Sequence, residues 1–202
     1  MKSYWLGHVE EYSMETSHRK RKGKIARIAD VQEKLLSETI SSLAPKTVLE
    51  VGCGWGRMTR IVARLPTIER YDAIDISPER ITEAETHISG VSFKAVDFME
   101  DQRKDKYDLV FASEVLMHVP PNLIYNFMRK MREMSNRYVV SLDYRTEKYP
   151  HLWAHNFNHD YRRLYGSLDA RGLEQKELKS RRFLGTETYP QSIFVADFGG
   201  SI

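Results

Sequence analysis

The apolar positions of this chain change period twice, and the changes predict its elements. From Ile25 to Leu43 they fall at Ile25, Ile28, Val31, Leu35, Leu36, Ile40 and Leu43, the spacing of an amphipathic helix. Pro45 stops that helix, and Val48, Leu49 and Val51 then form a short apolar run that breaks into Gly52, Gly54 and Gly56. A run of that length bounded by glycines fits a strand buried on both faces of a parallel sheet. Helix and apolar run then alternate. Met58 to Leu65 reads as a helix ended by Pro66, and Arg70 to Ser77 as the second strand. Ser77-Pro78-Glu79 starts a further helix, since serine caps, proline suits the first turn and an acid favours the positive helix end. That helix runs to about Ile88 and stops near Gly90. Val91 to Phe98 is the third strand and Tyr107 to Ser113 the fourth. A proline-led helix reaches Met134, and Arg137 to Asp143 is the fifth strand.

This order predicts an α/β fold: a doubly wound, mostly parallel seven-stranded sheet with helices on both faces. In such a sheet, ligand loops lie at the carboxyl ends of the strands. The last quarter departs from the alternation. Arg145 to Asn158 has little regular pattern, His159 to Arg171 looks helical, and Gly172 stops it. Leu173 to Leu184 and Ser192 to Phe198 are strand-like and joined by GTETYPQ, which predicts a terminal antiparallel hairpin. No repeat or linker divides the 202 residues, so one domain is expected: a helical cap over 1–44, a core over 45–143, and a covering segment with the hairpin over 144–202.

Composition narrows this only slightly. At 41% hydrophobic and 29% charged the chain is ordinary for a globular protein, and a net charge of +3 is too weak to imply nucleic acid by itself. The run Arg19, Lys20, Arg21, Lys22 and Lys24 reads either as a phosphate-binding patch or as a solvated helix start. No apolar run approaches transmembrane length, and the first residues do not lead into a signal-peptide core. Cys53, the single cysteine, has no internal partner for a disulfide, so a reducing, cytoplasmic setting is expected.

Candidate chemistry starts at the glycines. They permit a tight turn and a close approach of backbone N–H groups to a ligand, with a helix just beyond. A dinucleotide loop would need its third glycine at 57, where Arg57 stands, and no Gly-Lys-Ser/Thr occurs anywhere in the chain. What stands here is Glu50-x-Gly52-x-Gly54-x-Gly56, which resembles motif I of the class I S-adenosylmethionine-dependent methyltransferases. Asp75 ends the second strand twenty-three positions beyond Gly52, where a carboxylate can accept both hydroxyls of a ribose. The resemblance implies S-adenosyl-L-methionine as cofactor. It places Glu50, Gly52, Cys53, Gly54, Gly56 and Ser113 around it, with Asp97 and Phe98 at the adenine and Ile76 packed on the adenine face. Each acid taken alone is also a plain strand-end turn residue; three at successive strand ends beside this loop favour the cofactor reading.

The acceptor is less defined. An oxygen acceptor of high pKa needs a general base, whereas a free amine needs only to be neutral. His118, in SEVLMHV, resembles the histidine that follows strand four in many small-molecule methyltransferases. The segment WAHNFNHDYRRLY holds His155 and His159 as further candidate catalytic groups. It also holds Trp153, Asn156, Asp160 and Tyr161 as candidate acceptor-binding groups. Aromatic rings beside amides and imidazoles suit a polyhydroxylated acceptor such as a glycan. The same segment also reads as a loop pinned by its own hydrogen bonds. The His155/His159 spacing would suit a metal on a helix, but no further ligand is evident and no metal is expected. An Asn/Asp-Pro-Pro-Tyr/Phe motif is missing after strand four, where ASEV stands, and Cys53 is misplaced for cytosine C5 chemistry. The expected function is methyl transfer to a small-molecule or glycan acceptor at oxygen. The alternatives are an RNA or protein methyltransferase docking on the basic run, or a cofactor-binding partner subunit.

Overall fold

The structure is a computed structural model that describes residues 24–144, 156–182 and 185–199. The N-terminal segment 1–23 and residues 145–155, with Trp153 and His155, lie outside the described residues, as does most of the basic run. By its contacts the chain divides into two compact units, Met1–Gln102 and Arg103–Ile202.

The first unit begins with helix α1 (Lys24–Leu43), which buries Ala29, Gln32, Leu36, Thr39 and Ile40 along one face. Strand β1 (Thr47–Val51) follows. It pairs in parallel with β2 (Arg70–Asp75), which pairs in parallel with β3 (Ser92–Ala95). Helices α2 (Thr59–Val62) and α3 (Pro78–His87) make the crossovers. The expected cap of α3 is present: Ser77 Oγ accepts from Arg80 N at 3.3 Å with Pro78 in the first turn. Helix α2 is shorter than the apolar pattern over 58–65 predicts, and β3 occupies only the middle of 91–98. A hydrogen bond and an ion pair hold α1 to the loop after β1 and to α2. Arg57 Nη1 donates to Gln32 Oε1 at 2.9 Å, and Arg60 Nη2 lies 3.0 Å from Glu33 Oε2.

The second unit contains β4 (Tyr107–Ser113), a 3-10 turn (Leu116–His118), α4 (Ile124–Met134), β5 (Ser135–Tyr144), α5 (Tyr161–Gly166), β6 (Gly172–Arg182) and β7 (Gly185–Asp197). Strand β4 pairs in parallel with β5, and β7 lies antiparallel between β5 and β6, giving the expected terminal hairpin. Two expectations are corrected. The helix predicted over 159–171 is confined to α5, because the Asp160 side chain caps it by accepting from Arg163 N at 3.0 Å. The stretch GTETYPQ is not a connection but the first half of β7. Pro190 is tolerated there because the β6–β7 register shifts between Glu177 and Lys179, so the residue that cannot donate falls at a bulge.

The glycine loop shows why one of its residues is needed for packing. Gly56 has φ +87°, and a Cβ there would come 2.3 Å from Ile88 Cδ1, just beyond α3. Gly56→Ala is therefore expected to destabilise the chain by about 1–3 kcal/mol. Adding Ile88→Val should recover the steric part but not the backbone part. Urea unfolding of the single and double variants measures both, and equal stabilities of the two variants would refute the packing argument.

Candidate active site

In the first unit the loop after β1 is tied to the end of β2. Gly52 N and Cys53 N both donate to Ile74 O, at 2.8 and 3.0 Å. Gly54 N donates to Asp75 Oδ2 at 2.8 Å, while Ser77 N donates to Asp75 Oδ1 at 2.9 Å. Each carboxylate oxygen thus accepts one backbone N–H and keeps lone-pair capacity for a diol. At Gly54, φ is +56° and the nearest atom to an added Cβ would be Arg80 Nη1 at 3.6 Å. The Arg80 guanidinium thus covers the loop backbone on that side, and the positive φ is what calls for glycine there. At the next strand end, Asp97 Oδ1 accepts from Met99 N at 2.9 Å, with Phe98 buried and Ile76 half-buried. These residues fit the cofactor implied by the glycine motif: Asp75 for the ribose hydroxyls, Gly52 to Gly56 for the tight loop, and Ile76, Asp97 and Phe98 for adenine.

Glu50 has a packing role in the same unit. It is 2% exposed, and Oε2 accepts from Thr59 Oγ1 at 2.5 Å and from Tyr71 Oη at 2.6 Å, joining α2, β1 and β2. Burial drives its carboxyl up to about 7 against the pull of those hydrogen bonds and of Arg57. Burial, with Glu50 and Asp75 nearby, also raises the Cys53 thiol, which lies 3.5 Å from Gly54 O and stays un-ionised.

In the second unit, Ser113 ends β4 with a buried Oγ that has no hydrogen-bond partner among the described residues. Glu114 follows with φ +59°, a conformation costly for a non-glycine residue and concentrated at functional sites. Its N–H donates to Leu142 O at 2.8 Å, and its Oε1 accepts from Gln191 Nε2 at 2.7 Å. The backbone then forms the turn that carries His118, which is 8% exposed. Asp143 secures this turn from β5: Oδ1 accepts from Met117 N at 3.1 Å. Asp143 is fully buried, and burial together with neighbouring Glu114 raises its carboxyl well above the usual range.

Residues 156–160 lie against this turn without regular secondary structure, so the helical-face argument for His155 and His159 does not hold at His159. Phe157 N donates to Met117 O at 2.6 Å, and His159 Nε2 lies 2.9 Å from Val119 O. A carbonyl partner requires Nε2 to carry the proton, and burial lowers the ring's pKa. His159 thus straps the segment onto the turn rather than acting as the acid or base expected of it. Asp160, exposed, caps α5, and Tyr161 is buried at 5.0 Å from the Phe194 ring. Among the described residues no three His, Cys, Asp or Glu side chains group as a metal site would need. Arg80, Glu114, Asp143 and Gln191 are the residues that motif reading missed. Two of them had a signal in the sequence, the acid closing the fifth strand and the glutamate of SEVLMHV.

Residues 48–137 match a family model described as a methyltransferase domain. Over this segment the chain is similar to the S-adenosylmethionine-dependent methyltransferases. The chain is 25% identical over 109 residues to a malonyl-[acyl-carrier protein] O-methyltransferase of Anoxybacillus flavithermus, covering 52% of this chain and 42% of that one. It is 36% identical over 84 residues to a ubiquinone biosynthesis O-methyltransferase of Xanthomonas euvesicatoria, covering 39% and 34%. The chain thus spans well under half of either curated relative. Among solved structures, N-methyltransferase NodS of Bradyrhizobium japonicum, in complex with S-adenosyl-L-homocysteine, superposes with a TM-score of 0.71 at 19% identity. That match covers 95% of this chain and 97% of NodS. The likeness shows the fold: a seven-stranded, mostly parallel methyltransferase sheet with antiparallel strands at its C-terminal end.

The methyltransferase segment carries a titration of its own at Glu50. Between pH 4.5 and about 7 the folded chain keeps a Glu50 proton that the unfolded chain has released, so stability falls as pH rises through this window and levels above it. The drop attributable to Glu50 amounts to about 3 kcal/mol. Glu50→Gln is expected to flatten this slope in urea titrations; parallel wild-type and variant profiles would disprove the buried, protonated state.

Proposed function

We propose that this protein transfers the methyl group of S-adenosylmethionine to an oxygen of a small-molecule acceptor. The observation that carries the cofactor part is the Asp75 carboxylate, 8% exposed and oriented by Gly54 N and Ser77 N beside the glycine loop. The match of residues 48–137 to the methyltransferase model supports the same reading. The oxygen assignment is supported by the O-methyltransferases among the relatives.

Transfer from a sulfonium is an in-line displacement, so alignment of acceptor, methyl carbon and sulfur supplies much of the rate. When bound, the cofactor supplies the electrophilic methyl group. The chain's own residues hold the ribose through Asp75, turn the loop at Gly52 and Gly54, and flank the adenine with Ile76, Asp97 and Phe98. An attacking hydroxyl must also lose its proton. Two titratable groups stand beyond the carboxyl ends of β4 and β5 for this, His118 on the turn and Asp143 beneath it. Trp153 and His155, outside the described residues, keep their place in this reading as acceptor-side groups.

Asp75→Ala is expected to weaken S-adenosylmethionine binding at least about 100-fold in calorimetry, because two charge-assisted hydrogen bonds are lost together. Retained micromolar binding would sink the cofactor assignment. For the acceptor, wild-type protein with methyl-labelled cofactor is offered catechols, aliphatic alcohols and sugars, carboxylic acids and primary amines. Label transferred to oxygen is the expected outcome, and transfer to amines alone would refute the oxygen assignment.

A further inference from the structure

The second unit holds a cavity of about 460 Å³ whose lining comes from one end of its strands. Lys106 directly precedes β4, Arg132 and Glu133 stand just before β5, Arg171 directly precedes β6, and Phe198 follows β7. Ser113 and Asp143 lie towards the other ends of β4 and β5, where a doubly wound sheet takes its principal ligands. The volume is nonetheless that of a small-molecule site, roughly 300–1,000 Å³. Its floor is apolar, with Phe198 and Leu168 both buried. The Arg132 guanidinium lies over the Phe198 ring, 4.5 Å from its centroid, and Nη1 donates to Ser135 O at 3.0 Å. A guanidinium has five N–H donors, so Arg132 keeps Nε and Nη2 for another acceptor.

The charges around the cavity do not cancel. Among the described residues, the side chains of Lys106 and Arg171 make no hydrogen bond or ion pair. Asp197, whose backbone accepts from Arg171 N, has its carboxylate taken by Arg137 Nη2 at 3.2 Å and Gly199 N at 2.8 Å. Glu133 lies 3.8 Å from Arg129, away from the three lining cations. Asp169, held at φ +59°, is the remaining acid of the lining. Three cations thus face one uncommitted acid above an apolar floor. We propose that this cavity is a binding site for a small organic anion. Lys106, Arg132 and Arg171 hold its carboxylate or phosphate, and its flat apolar body rests on Phe198 and Leu168. Stacking on Phe198 holds the Arg132 fork in place beforehand, so little side-chain freedom is lost on binding. Lys106 and Arg171, both exposed, add an attraction that salt screens. An occupant here leaves the Ser113 and Asp143 ends of the strands open to a methyl acceptor.

The test titrates the full chain by calorimetry with 1-naphthoate, 1-naphthyl phosphate, inorganic phosphate and 1-naphthylmethylamine. Saturable one-to-one binding of at least one naphthyl anion is expected, with a Kd below about 1 mM. The tighter of the two anions identifies the head group. Inorganic phosphate should bind at least about tenfold more weakly, because it leaves the apolar floor wet. The double variant Lys106→Glu/Arg171→Glu should weaken that naphthyl anion about tenfold or more, through lost attraction and new repulsion. Its urea stability and S-adenosylmethionine affinity should match the wild type, since neither side chain has a partner to lose among the described residues. Failure of both naphthyl anions to bind, undiminished binding by the double variant, or equally tight binding of the amine overturns the site. Inorganic phosphate binding as tightly as naphthyl phosphate overturns the apolar half of the assignment. A parallel loss of S-adenosylmethionine affinity in the double variant overturns the independence of the site from the cofactor.

Discussion

The contact between Gly54 N and Asp75 Oδ2 ties together everything else in the cofactor half of the molecule. It joins the loop after β1 to the end of β2, two neighbouring parallel strands, through one oxygen of the acid proposed to hold the ribose. Ser77 N holds the other oxygen, and Ser77 in turn caps α3. A single carboxylate thus sets the loop, receives the start of the next crossover helix and stays oriented for a diol. Left-handed backbone at Gly52, Gly54 and Gly56 shapes the loop, and a side chain at the third glycine would also meet Ile88 just beyond α3.

Acids recur in both units, with different fates set by their surroundings. Glu50 is sealed among a threonine, a tyrosine and the core, and its raised pKa records the cost of that burial. Asp143 is also sealed, but one oxygen serves a backbone N–H and the other meets no partner among the described residues. Asp75 alternates between neither extreme, being buried yet held by two N–H donors on separate oxygens. Hydrogen-bond donors, more than depth alone, decide which carboxylate is structural and which is held ready for chemistry.

The strap over the turn after β4 shows how one backbone arrangement reassigns side chains. With 156–160 irregular instead of helical, His159 reaches a carbonyl and becomes a fastener, and Asp160 becomes a helix cap. Glu114, in a strained backbone state, is pinned from β7 by Gln191, seventy-seven residues away in sequence. None of these relationships has a local signature. Each depends on distant segments meeting at strand ends.

What the sequence determined by itself was periodic or local: apolar spacing for α1, glycine spacing for the loop, serine and proline for the start of α3, and an acid at the end of β2. These are legible because a few neighbouring residues suffice to impose them. The extent of β7 was not, because Pro190 is acceptable only where a bulge in its pairing with β6 relieves it of donating. Nor were the tasks of His159, Glu114 and Asp143. A side chain's protonation and partners follow from burial and from donors brought by other strands, and only the tertiary structure decides those.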